Sequence, residues 1–542
     1  MARIAGDHAG RPTAAGRRQD GRPTAGARDI VNHPRPPQSP NGPERPRQSA
    51  AAVHAQEAIE DAEILARLGY TQELTRTLGA FSNFAISLSI ICILAGGITS
   101  FHIGYCSVGG AAIGLGWPLA GLFSLAVALS MAQIASAFPT AGGLYHWASI
   151  LGGRGCGWAT AWFNLAGLVT VLAAINVGTF RFFAATWRPE WLEESAVEVL
   201  CVLAITCSQA AVNHFGIRLT SRLTDSSGYL ILLVSVVLAV TLAIYSGPWD
   251  MSRLVTFANH SGLPEASPVW PSSSSLPILF LMGLLLPAYT ITGFDASAHV
   301  AEETLGAATS VPKGIVNSVL VSGVMGWLLL CALVLSMPDA SEGARQGPLV
   351  VPWTMTSVLP AWLAESIFAG SLAAQYLCGL ATVTSASRMA YAFARDGGLP
   401  ASRTLRLVSE RRRTPAVAIW TVSIAAVLFT VFTPVYSTIT VVCTILIYIS
   451  YVIPIAVGLL AFGRSWRLFG PWHLGAWFRP LAAASLVGCS TLILVGVQPP
   501  NDGAIPVVAG MVILLVVAWF AGVRSRFPGP PLDGTEKTVA SW

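Results

Sequence analysis

From Thr77 to Gly153 the chain carries no Asp, Glu, Lys or Arg, and a second such stretch runs from Thr414 to Gly463. Soluble domains carry roughly a quarter charged residues, and a chain built this way has no polar coat to offer. A hydrocarbon core is crossed by about 20 apolar residues in a helix, so the first stretch holds roughly three crossings with their turns. Over all 542 residues, 53% are hydrophobic and 11% charged. The fold class is therefore an all-α polytopic membrane protein.

Apolar runs bounded by polar turns place spans at 81–103, 109–137, 155–183, 196–216, 226–246, 275–303, 314–337, 361–394, 415–433, 437–462, 480–497 and 504–523, about twelve in all. The segment 139–152 is too short to cross and reads as an inner-surface helix leading into the third span. Residues 1–60, rich in Arg, Pro, Gly and Ala, with the echo GRPTAAG and GRPTAGA, read as a disordered cytoplasmic tail. A transporter core is expected over 61–463, the last two spans over 464–525, and a C-terminal tail over 526–542. Positive charge sets orientation. With the N-terminus inside, the inner loops carry Arg154, Arg218, Arg222, Lys313, Arg388, Arg395, Arg403, Arg406, Arg411, Arg412, Arg413, Arg464, Arg467, Arg479, Arg524 and Arg526; the outer side has only Arg181, Arg188, Arg253 and Arg345. Both termini are accordingly expected in the cytoplasm, with the chain in the plasma membrane.

Two spans carry signs of a broken helix. In the first, FAISLSIICILAGGITSF, the pair Gly96-Gly97 interrupts a run of apolar and β-branched residues; in the sixth, Thr292-Gly293-Phe294-Asp295 does the same. Glycine lowers helix stability and lets the backbone unwind. Inside a membrane, irregular backbone is tolerated only where protein buries it or a cavity lies beside it. The breaks fall five helices apart, the pattern of a transporter built from two five-helix repeats of opposite topology with its solute near the midplane. A half-helix amide end suits a carboxylate, and freed carbonyls suit an ammonium.

Asp295 is the costly residue, since a carboxylate in the membrane interior is expensive and calls for a reason. It could cap the second half-helix, ASAHVAEET, by accepting its free amides. It could instead meet a substrate amine, or carry a proton. His299 reads as a packed neutral histidine, and Glu302 and Glu303 as gate or solvent-facing residues. In the eighth span the hydroxyls of Thr384 and Ser385 offer oxygen ligands for sodium, although such side chains commonly bond back to their own helix.

Four ordered stretches carry a family likeness: LGYTQELTRTLGAFSNFAISLSIICILAGGITS (68–100), GWPLAGLFSLAVALSMAQIASAFPTAGGLYHWAS (116–149), TGFDASAHVAEET (292–304) and SRMAYAFARDGGLP (387–400). The chain resembles an amino acid permease of the amino acid–polyamine–organocation superfamily, closest to the amino acid/choline transporter branch, over roughly 65–525. The resemblance implies a LeuT-type 5+5 inverted repeat plus two C-terminal helices. It also implies a substrate held by Ala95, Gly96, Gly97, Ile98 and Thr99 of the first break and Ile291, Thr292, Gly293, Phe294 and Asp295 of the sixth, with Phe294 closing over it. Two positions depart from the family pattern. Gln133 stands where a glutamate is usual, which alters a pairing with an inner basic group. The fifth span, GYLILLVSVVLAVTLAIY, lacks the lysine that proton-coupled relatives can carry there.

The expected function is secondary transport by alternating access of amino acids or related amines, with GABA, basic amino acids, choline and polyamines in view because Asp295 offers a negative end. The alternative is a solute sensor or receptor on the same fold. An enzyme is not expected, since the chain has no His-Glu-x-x-His and no Gly-x-Ser-x-Gly. Nine scattered cysteines without a Cys-x-x-Cys pair indicate neither a zinc site nor a disulfide framework. The expected partners are the small-molecule substrate, membrane lipid and a coupling ion, proton or sodium, with no cofactor and no nucleic acid.

Overall fold

A helix satisfies its own backbone hydrogen bonds, which is the condition for lying in hydrocarbon. In the computed structural model, which describes residues 50–433 and 436–531, ten helices are long and apolar enough to cross a membrane. They are Ala80–Gly97, Ala112–Ala137, Arg154–Trp187, Ser195–Phe215, Ile217–Tyr245, Ala307–Ser336, Ala361–Arg395, Thr438–Ala461, Gly475–Gly496 and Asn501–Arg526. Two shorter apolar helices, Leu276–Thr290 and Ala416–Phe432, take the sixth and ninth places. Ten and two make the twelve spans read from the sequence, in the same order. The protein is a multi-pass membrane protein.

The packing repeats under a shift of five spans. The third span lies along the tenth as the eighth lies along the fifth, and the third meets the ninth as the eighth meets the fourth. Five is odd, so each repeat enters from the side opposite to the other, as an inverted repeat requires. The first, third and tenth spans are mostly buried among their neighbours, whereas the eleventh and twelfth are mostly exposed. Leu494, Ile513, Leu514 and Val517 face outward there, and a hydrocarbon surround removes the cost that water would impose on them.

Two boundaries differ from the sequence reading. Residues 50–60, placed there in the tail, begin a helix, Ala50–Arg67; residues 1–49 lie outside the described residues. Alanine and glutamate are strong helix formers, and tertiary contacts fix this helix: Asp61 Oδ2 and Oδ1 accept from the amides of Gly306 (2.8 Å) and Ala307 (3.0 Å), capping the seventh span. At the other end Phe527 is buried with its ring edge-on to Phe393 at 6.0 Å, and its carbonyl accepts from Arg154 Nη1 at 3.2 Å. The start of the expected C-terminal tail thus packs against the core, and 532–542 lie outside the described residues. The helix expected within 139–152 is Leu144–Gly152, but it is not superficial, because Tyr145, His146 and Trp147 are buried.

Candidate functional site

The sixth span breaks where the sequence places it. Its helix ends at Thr290, Ile291 leaves helical geometry, Gly293 takes φ +90°, and helix resumes at Ala296. Only glycine adopts that φ without strain, and a Cβ on Gly293 would collide with Ile90 Cγ2 of the first span. Gly293→Ala is accordingly expected to cost about 1–3 kcal/mol of stability and to abolish function, read as a lowered unfolding temperature together with lost solute flux at equal protein density.

The first span breaks earlier than its glycine pair suggests. The regular helix ends at Ile90, Cys92 has φ −12° and ψ 96°, and 93–97 form a wide turn before helix resumes. Gly96 serves a different purpose: a Cβ there would lie 3.0 Å from Thr290 Cα, so the missing side chain lets the two broken spans touch. Gly97 faces Leu330 of the seventh span. Ala95 is buried and its carbonyl accepts from Thr99 Oγ1 at 2.7 Å. Phe294 is fully buried, with its ring 5.0 Å from that of Tyr451.

Asp295 stands at the N-cap position of the short helix Ala296–His299 but makes no side-chain cap bond. The cap is supplied from the first span, where Ser87 Oγ accepts from Ser297 N at 2.9 Å and donates to Phe294 O at 2.9 Å. Asn83, one turn earlier, donates to Ser297 O (2.9 Å) and Thr304 Oγ1 (3.0 Å). The Asp295 carboxylate turns instead toward the third and tenth spans. Oδ1 accepts from Tyr451 Oη at 2.7 Å, and Oδ2 accepts from Asn164 Nδ2 at 2.9 Å and lies 3.3 Å from His299 Nε2. Tyr451 Oη also accepts from Gly293 N at 3.1 Å. The carboxylate and its partners are wholly buried.

His299 is packed, as expected, but both its nitrogens face acceptors. Nδ1 lies 3.4 Å from Ala141 O and Nε2 faces Asp295. A carbonyl oxygen and a carboxylate both only accept, so a neutral ring, with one N–H, can donate to Ala141 or to Asp295 but not to both. Its lone pair then faces the other acceptor, which is repulsive. Only a ring with hydrogen on both nitrogens donates to both acceptors.

On the face that carries the N-terminal helix, buried ion pairs close the protein. Arg388 Nε and Nη2 donate to Glu303 Oε2 (3.0 Å) and Oε1 (3.2 Å), and Arg395 Nη2 and Nη1 donate to Glu302 Oε1 (2.9 Å) and Oε2 (3.0 Å). Both glutamates are fully buried, so neither faces solvent. Arg388 and Arg395, counted above as loop charges, are partners within the protein. Just past the eighth span, Asp396 Oδ2 accepts from Tyr70 (2.8 Å) and Tyr145 (2.9 Å) and lies 3.1 Å from His146 Nε2. Burial pushes the Asp396 carboxyl up, but His146, the Arg395 charge and Tyr70 outweigh it and hold the group below the usual carboxylate range.

On the opposite face a cavity of about 850 Å³ descends among the first, third, sixth and tenth spans, and Ile98, Thr99 and Tyr289 line it. Thus Ile98 and Thr99 of the expected site reach this cavity; Ala95, Gly96, Gly97 and Ile291 to Asp295 do not line it. Thr292 Oγ1 donates to Tyr289 O at 2.8 Å, and Ile291 is buried. In the eighth span Thr384 donates to Asn213 Oδ1 at 2.7 Å, and Ser385 Oγ is buried without a partner among the described residues. Among the described residues Gln133 has no hydrogen bond to a basic side chain; its Oε1 accepts from Leu474 N at 2.9 Å.

Sequence reasoning missed Asn83, Ser87, Asn164 and Tyr451. Asn164 carries the clearest signal, as a lone amide inside the apolar run WFNLAGLV, where a polar side chain calls for a named partner.

Twelve spans, an inverted repeat and two interrupted helices in contact define the architecture of a secondary transporter. The family profile described as amino acid permease matches residues 78–520. The chain belongs to that family and is a transporter of amino acids. It is 31% identical over 501 residues to the amino-acid permease BAT1 of Arabidopsis thaliana, covering 86% of this chain and 95% of the relative. A rice homolog of that permease is 30% identical over 509 residues, covering 87% and 96%. The GABA-specific permease of Saccharomyces cerevisiae is 28% identical over 389 residues, covering 68% and 65%.

Proposed function

We propose that the chain carries amino acids and related amino-group solutes across the plasma membrane by alternating access, with both termini cytoplasmic and the amino acid/choline branch as its nearest relations. The observation that supports this best is the asymmetry about the two breaks. A cavity leads from one face to Ile98, Thr99 and Tyr289, while the other face is closed by the Glu302–Arg395 and Glu303–Arg388 pairs. Arginine counts along the loops favour the closed face as cytoplasmic. Residues 95–99 and 291–295 are then the substrate site, entered when the spans rock apart around the breaks. We place the core at 61–463 with the Ala50–Arg67 helix joined to it, and the last two spans at 464–525 as a lipid-facing addition.

The proposed coupling ion is the proton, held between Asp295 and His299. Losing it would leave one of two buried acceptors, Asp295 Oδ2 or Ala141 O, facing an imidazole lone pair, which the low dielectric makes costly. Asp295 is wholly buried, accepts from Tyr451 and Asn164 and does not line the cavity, which argues against its taking a substrate ammonium. That removes the reason for preferring choline or polyamines and favours amino acids proper, GABA included.

The test is counterflow into proteoliposomes preloaded with unlabelled amino acids, GABA, choline and putrescine, with one labelled solute outside at a time. Counterflow needs no driving gradient. Accumulation of a labelled amino acid is the expected result. No accumulation of any label by folded, inserted protein would overturn the proposal and return the sensor reading.

A further inference from the structure

The cavity opposite the N-terminal helix has an uneven wall. Among the described residues its lining holds no Asp or Glu, and apart from His102 the only charged or readily charged side chain there is Arg181 of the third span. Arg181 Nε donates to Glu198 Oε2 at 3.0 Å, but Glu198 belongs to the fourth span and is not part of the wall. The arginine side chain is 39% exposed and the glutamate 12%, so the acid anchors the guanidinium from behind. Cζ of Arg181 lies 5.6 Å from the ring centroid of Tyr436, a second hold on the group. Nη1 and Nη2 make no hydrogen bond among the described residues.

An arginine fixed at Nε and against an aromatic ring, with its two terminal nitrogens uncommitted, suits a carboxylate taken by two parallel hydrogen bonds. A chain of contacts leads inward from it. Tyr436 Oη lies within 3.4 Å of Thr99 Oγ1, to which it donates, and Thr99 in turn donates to Ala95 O at the first break. Apolar side chains such as Phe182, Leu285 and Ile445 line the same cavity, and low-dielectric walls strengthen the field of a single charge.

We propose that Arg181, backed by Glu198 and Tyr436, is a docking station for the substrate carboxylate above the breaks. It confines the transporter to carboxylate-bearing solutes, zwitterionic amino acids and ω-amino acids, and turns away amines that lack a carboxylate. This rests on the transport reading but can be tested apart from it.

The experiment compares the wild type with Arg181→Gln and Arg181→Lys, using an amino acid that scores in counterflow and the matching amide, which keeps the amine and loses the negative charge. In the wild type the amide competes at least about tenfold more weakly, as expected when a charge-assisted hydrogen bond is lost. In Arg181→Gln the KM for the amino acid rises about tenfold or more with the maximal rate largely kept, and the preference over the amide collapses. Arg181→Lys restores charge without the planar fork and falls between. An unchanged KM, or equal losses for acid and amide, would overturn the proposal. Thermal stabilisation of the detergent-purified wild type by the amino acid over the amide gives a second readout that needs no flux. If no solute accumulates but this stabilisation persists in the wild type and vanishes in Arg181→Gln, transport fails and the carboxylate station stands. If flux is normal and stabilisation is equal in both proteins, the station fails alone. Glu198→Gln guards against misfolding: it keeps an acceptor for Nε, removes the counter-charge and leaves Arg181, and it is expected to raise KM less than Arg181→Gln does.

Discussion

Glu303→Gln is expected to destabilise the protein by about 3–5 kcal/mol and to bring transport close to background, because it leaves the Arg388 guanidinium buried without its counter-charge. Both side chains are fully enclosed, and the two hydrogen bonds at 3.0 and 3.2 Å are the fork-to-carboxylate arrangement. The backbone adds to the joint: Glu303 O accepts from Thr77 N (2.9 Å) and Leu78 N (2.8 Å), and Leu78 O accepts from Leu305 N (2.9 Å). Closure of this face therefore ties the segment before the first span to the end of the sixth and the end of the eighth. Removing both charges together, in Glu303→Met with Arg388→Met, is expected to recover most of the lost stability, since a buried pair contributes little beyond an apolar replacement of similar volume. It should not recover transport if the pair must open and reform. Unfolding temperature in detergent and hydrogen exchange over 295–305 separate the two effects. A Glu303→Gln protein with wild-type exchange and flux would show that the pair does not hold the gate.

These buried ion pairs and the broken sixth helix were legible in the sequence to different degrees. Twelve spans followed from apolar length alone. The sixth break was placed correctly because φ +90° at Gly293 has one local cause that a glycine reports. The first break was misplaced by a few residues, because Gly96 marks a close approach to Thr290 and not the point of unwinding. A glycine pair in a membrane helix carries either meaning, and only the neighbouring helix decides between them. The cap on the second half-helix failed for a related reason. Local chemistry offered Asp295, but Ser87 reached the amide of Ser297 from 210 positions away. For Glu302 and Glu303 the gate and solvent-facing readings both stayed open, because their arginines lie 93 and 85 positions further along. Local backbone rules were readable, and long-range polar partners were not.

With the cap assigned to Ser87, Asp295→Asn becomes a test of the carboxylate itself. An amide offers one acceptor oxygen where the carboxylate serves Tyr451, Asn164 and His299, and its NH2 group must point at a donor. The expected cost is about 1–3 kcal/mol of stability from the unsatisfied buried group. The functional loss is expected to be larger and selective. Under the proposed proton coupling, uptake driven by a proton gradient falls to the level of protein-free liposomes. Counterflow of an amino acid at equal pH on both sides falls much less, since it requires no net proton movement. Asn164→Ala is the companion: it removes one donor and keeps the carboxylate, so it should lower stability while leaving uptake dependent on the gradient. Gradient-driven uptake that survives in Asp295→Asn would place the coupling proton elsewhere. Equal loss of uptake and counterflow would mean that Asp295 shapes the site without carrying the proton. Only the split outcome, uptake lost and counterflow kept, assigns coupling to the acid that the broken helix turns inward.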